Sequence, residues 1–475
     1  MHEAPTTRAP SAADDSPELH HPGTDGYEKA RAAWNLTADQ HPAAVWVAYS
    51  VEQVQSAIAY ARYHGYRVAT QTTGHLAAGL PPLHDTLLLK PWLHDGTIEV
   101  DPGARVARVS SGALWGDVVA AVAPHGLAVM HGSSPTVGVV GYLLGGGLSF
   151  YGREHGLAAN HVRAFEVVTP DGAFRRVDAE HDADLFHALR GGGGGYAVVC
   201  AVEIGLLPYA DVVGGALHFP AAAARALLHM WRDWTRTAPR TITTTFRVLR
   251  MPDLPDVPEP LRGVATVCVD AVALEPASAG ELERALRTIA DPLLGSYAPM
   301  PSAAAVTVHG DLQDPQPTVG DGRLLEDLDD AAIEALLRVT GPGTPLRFVE
   351  LRQLGGALAA RPDDAGARGH LEGRFVLHAV GVRSAPVAAA ELDRHLDAVL
   401  AALRPWATGT RFSSFAHRWH SLETCLPDDA LARVARTRAT HDPDELLVAP
   451  HLPPRPVSVS TKLRRSPAGA TPTRR

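Results

Sequence analysis

The chain has 475 residues, too many for one ordinary core and enough for two or three domains. Hydrophobic residues make up 45% and charged residues 20%, the mix of a soluble globular protein and not of a disordered or fibrous one. The net charge of −9, from 43 basic against 52 acidic residues, argues against a nucleic-acid partner, which selects a basic face.

Residues 1–24 are polar, Pro-rich and acidic, and read as a disordered tail without the apolar core of a leader. Ser50 and "VEQVQSAIAYARYHG" predict a helix with a Ser50/Gln53 capping box and a glycine stop at Gly65. A strand at 66–69 follows, then "TQTTGH" and short strand-like runs at 86–90, 97–100 and 105–110. "ALWGDVVAAVAPHG" predicts a second helix closed by Gly126. Residues 131–160 are dense in glycine but keep their apolar residues, so they read as ordered loop. "AFEVVTP" and "AFRRVD" predict a hairpin around Asp171-Gly172, and a short helix near 182–189 leads to "RGGGGGYAVVCAVEIGLLP".

The texture changes after about residue 212. "LRFVELRQLGG" and "RFVLHAVGVR" alternate polar and apolar residues, as half-buried antiparallel strands do. "APVAAAELDRHLDAVLAALRPW" is a strongly amphipathic helix, and "DDALARVARTRATHD" predicts a helix near the end. Residues 455–475 read as a loose basic tail. Apolar runs such as "TVGVVGYLL" are too short to cross a bilayer, so no membrane partner is expected. Cys200, Cys268 and Cys425 lie far apart with no C-x-x-C pair. That suggests neither a metal site nor a disulfide framework, fits a reducing compartment and points to the cytoplasm.

The five glycines at 191–195 satisfy a relaxed G-x-G-x-x-A, but in the wrong order: a helix precedes them and a strand follows. The P-loop and the G-x-S-x-G elbow are absent. Bared N–H groups in a tight turn nevertheless form an anion-binding concavity. Three such loops, at 70–75, 132–147 and 191–195, point to a large phosphate-bearing cofactor.

Together these segments resemble the FAD-linked oxidases of the vanillyl-alcohol-oxidase (PCMH-type) fold, in the berberine-bridge-enzyme-like branch. "WNLTADQHPAAVWVAYSVEQVQSAIAYARYHGYRVATQTTGH" is similar to the family's opening. "SPTVGVVGYLLGGGLSFYGREHGLAANHVRAFEVVTPDG" and "DLFHALRGGGGGYAVV" are similar to its next segments, and "HDPDELLVAPHLPP" to its closing motif. The resemblance runs from about residue 33 to 454. It implies an α+β fold: a two-part FAD-binding domain, 25–212 completed by 412–454, and a substrate domain, 213–411, with an antiparallel sheet backed by helices. It implies FAD held by Thr70, Gln71, Thr72, Thr73 and Gly74, by Ser134, Pro135, Thr136, Val137, Gly138, Gly141, Gly145, Gly146 and Gly147, and by Asn160 and Val199. It also carries to His75 a covalent bond from a ring nitrogen to the flavin. Many relatives add a second link through a cysteine where this chain has Ser134, whose hydroxyl is too weak an acid to serve, so at most one link is expected.

The resemblance further implies oxidation of a small alcohol or amine, of the secondary-metabolite kind, by hydride transfer to flavin N5, with molecular oxygen a candidate acceptor. The family's base is often a tyrosine in Tyr-x-Asn, and here Phe412 and Ser414 stand there instead. His378 in "RFVLHAVGV", then Tyr151 and His417, are the candidate replacements, since an imidazole suits general-base work. The missing tyrosine equally leaves open a non-redox cyclase using FAD structurally, or a flavin-binding protein without catalysis. Substrate identity and oligomeric state are left open by the sequence.

Overall fold

The structure is a computed structural model describing residues 18–341, 343–383 and 389–452. The chain first lays down β1 (Glu18–His20), β2 (Ala44–Ala48), β3 (Arg67–Thr70), β4 (Thr86–Pro91), β5 (Ile98–Asp101), β6 (Val106–Ser110), β7 (Val162–Val168), β8 (Phe174–Asp178) and β9 (Val198–Gly205). The middle of the chain supplies β10 (Asp211–Pro220), β11 (Ile242–Arg250), β12 (Ala265–Ala273), β13 (Tyr297–Pro301), β14 (Thr318–Leu325), β15 (Phe348–Gln353) and β16 (Phe375–Val382), and β17 (Leu447–Val448) comes near its end. Helices alternate with the strands in the first half and cover one sheet in the second, so the fold is α+β.

Three sheets result, in the orders β1-β2-β4-β3-β17, β5-β6-β9-β7-β8 and β13-β10-β12-β11-β15-β16-β14. The first is parallel apart from its edge strand β1, and the late strand β17 closes it by pairing with β3. Glu18–His20 belongs to this sheet, pairing with Ala44–Ala48, so the disorder expected over 1–24 does not hold for residues 18–24. Ladder hydrogen bonds and the tie from Tyr49 Oη to Glu18 hold that polar segment without a large apolar face. Residues 1–17 and the tail at 455–475 lie outside the described residues.

The helix Val51–His64 forms as its local code dictates. Ser50 Oγ accepts from Gln53 N at 3.3 Å, the Gln53 side chain takes the Tyr49 N–H at 2.7 Å, and Gly65 ends the helix at φ 69°. Val54, Ala57, Ile58 and Ala61 form the stripe that it buries against the first sheet.

In the seven-stranded antiparallel sheet, helices Ala224–Thr235, Pro276–Arg287, Asp330–Val339 and Ala389–Ala402 cover one face, meeting Phe246, Val269, Leu351 and Leu377. The opposite face carries Arg247, Asp270, Glu350, Arg352 and His378. The alternation in β15 and β16 therefore sorts residues between faces as the sequence suggests, but not between core and water. Glu350, Arg352 and His378 are buried too, because the first half of the chain covers the polar face. No helix among the described residues is long and apolar enough to cross a membrane.

Candidate active site

The first wall of the site is built by the loop after β3. Gly74 sits at φ +83°, and a Cβ there would stand 2.7 Å from Ala33 Cβ, so only glycine makes this turn. The turn lays the His75 ring on Trp34, with centroids 4.2 Å apart and planes at 15°. Thr73 Oγ1 bonds His75 Nδ1 at 2.8 Å. The other ring nitrogen, Nε2, is buried and has no hydrogen-bond partner among the described residues. Burial, with the nearby His417, pushes the imidazole down to about 3, so the ring is neutral with a free lone pair.

His75 borders a cavity of about 330 Å³. All three glycine loops reach it: Thr70 to His75 from the first, Ser134, Val137, Gly138, Gly141 and Gly145 from the second, and Gly193 and Gly194 from the third. The second and third are joined where Gly193 N donates to Leu144 O at 2.8 Å. Val199 on β9 and Val448 on β17 complete this side.

Some residues assigned to the cofactor do not line the cavity. Pro135 and Thr136 are not among its lining residues, although Thr136 Oγ1 lies 3.1 Å from Ser134 Oγ and so positions a residue that is. Gly146 and Gly147 serve close packing: a Cβ would stand 3.2 Å from Arg368 Cγ at the first and 2.8 Å from Ala158 Cβ at the second. Asn160 donates to Gly369 O at 2.8 Å and acts as a tie between distant segments.

The far wall comes from the polar face of the seven-stranded sheet and from the segment after residue 411. His309, Phe348, Glu350, Arg352 and His378 are joined by Phe412, Phe415 and His417. Register brings the charged ones together, since Glu350 is opposite His378 on one side and Arg247 on the other. His378 stacks on Phe415 at 4.4 Å and lies 5.4 Å from His417. Its Nε2, like His417 Nδ1, is buried without a partner. Burial drives His378 down to about 3 and His417 to about 4.

Tyr151 does not belong to this group. Its ring is buried between His131 and Tyr209, its hydroxyl points to Ser302 O at 3.4 Å, and it does not line the cavity. Phe412 does line the cavity, where it presents a ring with no acid or base group. The sequence reading passed over Tyr142, His309, Trp34 and Phe415. Tyr142 was the only aromatic inside "VGVVGYLLGGG", a usable signal; His309 lies in a loop after a short 3₁₀ turn and has none.

Residues 42–178 match the family model described as an FAD binding domain. This part of the chain is an FAD-binding domain. Beyond it, FAD-dependent monooxygenase prx3 of Penicillium roqueforti is 29% identical over 216 residues, 45% of this chain and 42% of that protein. The chain spans less than half the length of the curated relatives it matches. The structure of 6-hydroxy-D-nicotine oxidase from Arthrobacter nicotinovorans aligns at a TM-score of 0.79 and 20% identity, covering 92% of this chain and 97% of that one. Berberine bridge enzyme from Eschscholzia californica aligns at 0.75 and 18%, covering 92% and 96%. The FAD-binding domain is thus set in the fold of the berberine-bridge-enzyme-like, PCMH-type flavoenzymes. The residues present suit the cofactor: three glycine loops converge on a cavity that holds a neutral imidazole with an unused nitrogen.

Proposed function

We propose that the chain is an FAD-dependent oxidoreductase that oxidises a small alcohol or amine, with molecular oxygen as acceptor. The observation that carries this reading is the partnerless Nε2 of His75, buried at the edge of a cavity lined by three glycine loops. We further propose a division into an FAD-binding part, 25–212 with 412–454, and a substrate part, 213–411. The pairing of β17 with β3 supports it.

Bound FAD supplies a two-electron acceptor. Backbone N–H groups of the loops at 70–75, 132–141 and 193–194 would hold its phosphates, and His75 would tether it. On the opposite wall, His378 takes the substrate proton at Nε2. Glu350, its ladder partner, favours the charged imidazole once the proton arrives. Phe348, Phe412 and Phe415 keep water out and hold the carbon skeleton. Ser134 forms no second link, and Cys200 is buried away from the cavity. Three free, buried cysteines support a reducing, cytoplasmic setting.

The test is acid denaturation of the purified protein. Yellow colour should stay with the polypeptide, and His75→Ala should release it to the supernatant. Colourless protein that takes up no added flavin overturns the reading, and a bond that survives in His75→Ala moves the attachment elsewhere. Anaerobic bleaching of the flavin by substrate then tests the oxidation itself.

A further inference from the structure

A row of charge runs through the polar face of the large sheet and stops at the cavity. Arg247 pairs with Asp270 at 2.6 Å, Asp270 with His309 at 2.8 Å, His309 with Glu350 at 3.1 Å, and Glu350 with Arg352 at 2.6 Å. None of the five is more than 5% exposed. Burial and Arg247 work against a charged His309, but Asp311, Glu350 and Asp270 together raise it above its ordinary value. Glu350 is held well below the usual carboxylate range by Arg352 and His309 despite its burial.

With His309 protonated, the row alternates in sign and begins and ends on an arginine. It carries one excess positive charge, and each carboxylate is shared between two cations. Asp311, the further acid on this wall, sits 3.8 Å from His309 and is engaged by Ser133 Oγ at 2.8 Å. Counting Asp311 the cluster balances in charge, but Arg352 still shares its one carboxylate partner, Glu350, with His309.

Its surroundings fix it in place. The guanidinium carbon lies 5.4 Å from the ring centres of both Phe150 and Phe415. Nε is taken by Glu350, while the two Nη atoms have no hydrogen-bond partner among the described residues, and Arg352 lines the cavity. Two more polar atoms here are buried and partnerless, Tyr142 Oη and His378 Nε2. Leaving the Nη groups and Tyr142 Oη unpaired is costly, and a ligand that accepts from them removes the cost. A planar fork of N–H groups matches the two oxygens of a carboxylate.

We propose that the substrate carries a carboxylate, received by the two Nη atoms of Arg352 with Tyr142 Oη donating to the same group. The proposal rests on the reading of the cavity as a flavin and substrate site. The rings of Phe348, Phe412 and Phe415 suit an aromatic or unsaturated skeleton, and His378 then meets the alcohol or amine end.

Benzoate, benzamide and benzyl alcohol, titrated into the flavin-loaded protein, test it, with binding read by calorimetry and by the flavin's visible spectrum. Benzoate should bind about tenfold or more tighter than benzamide. Arg352→Gln should abolish that ratio, weakening benzoate far more than benzamide, and Tyr142→Phe should weaken benzoate by about threefold or more. Equal affinities in the wild-type protein overturn the proposal without any variant, as does failure of all three to bind. A preference that survives Arg352→Gln overturns it, including the case where only the flavin spectrum moves, which assigns the arginine to the flavin. Should Arg352→Gln not fold, an unchanged benzoate affinity in Tyr142→Phe overturns it. Flavin loading is checked first by colour: colourless protein counts against the reading of the cavity, yellow protein without the preference against the carboxylate alone.

Discussion

At His378 the ring is shut between Phe415 and Phe348, and burial first, then the neighbouring His417, holds it neutral. His417 and His131 are in the same condition, each pushed down to about 4. The sign of the linkage follows. In the unfolded chain these imidazoles take up protons below about pH 6.5, while in the folded protein they resist until far lower. Stability should therefore fall as pH drops from about 6.5 toward 4, by at most about 1.4 kcal/mol per pH unit for each such histidine. His309 acts in the opposite sense, because its raised pKa contributes stability that is full below about 6.5 and is lost as pH rises through the folded value. Urea midpoints between neutral and mildly acid pH should show the net decline, and His378→Phe, which keeps the aromatic stack, should flatten it. A slope unchanged by that variant rules His378 out as a contributor.

The segment from Arg411 to His420 meets the large sheet at the Phe415–His378 stack and at a cluster of charge. Asp321 of β14, fully buried, receives Arg411 at 2.9 Å, Arg418 at 3.0 Å and His420 at 3.0 Å. Burial works against ionising this carboxylate, yet His420 and Arg411 hold it at about 2, below its ordinary value. Its stabilising effect is full above about pH 4 and fades as pH falls toward 2. Asp321→Asn leaves two arginines facing a neutral amide and should cost about 3 kcal/mol, read as an earlier urea midpoint. Because Phe412 to Phe415 and His417 line the cavity, the variant should also release flavin faster when His75→Ala has removed the tether. Elements of this size differ in how far the sequence announces them. The helix Val51–His64 was legible because every signal for it lies within fifteen or so positions: cap, stripe and glycine stop. The faces of β15 and β16 were legible from alternation alone. What covers the polar face was not, because Glu350 and His378 become neighbours only through strand pairing, and Asp270 and His309 reach Glu350 from still farther along the chain.

For the molecule as a whole, the site exists only where two halves meet, so its second wall was the part least legible in the sequence. The glycine loops and His75 could be read because they are contiguous motifs, whereas Tyr142, Arg352 and His309 converge from three separate regions. What fixes the halves against each other is open to test at Arg153. This residue lies on the short helix Gly152–His155 in the first half, buried, and donates only to carbonyls of the second: Ile242 O at 2.8 Å, Ala238 O at 3.0 Å, Pro239 O at 3.2 Å, and Leu354 O. Burial and Arg374 depress its pKa to about 10, so the charge is retained at neutral pH without a carboxylate to balance it. Arg153→Met fills similar space but strands several buried carbonyls, and should cost about 3 kcal/mol. Arg153→Lys keeps the charge but cannot reach the same set of acceptors, and should recover only part of that loss. In the wild-type protein, melting followed by flavin fluorescence and by far-ultraviolet circular dichroism should coincide. In Arg153→Met the flavin signal should melt first, because the cavity opens before either half unfolds. Coincident transitions at an unshifted temperature would show that the halves are held by their apolar contacts and that this arginine is dispensable.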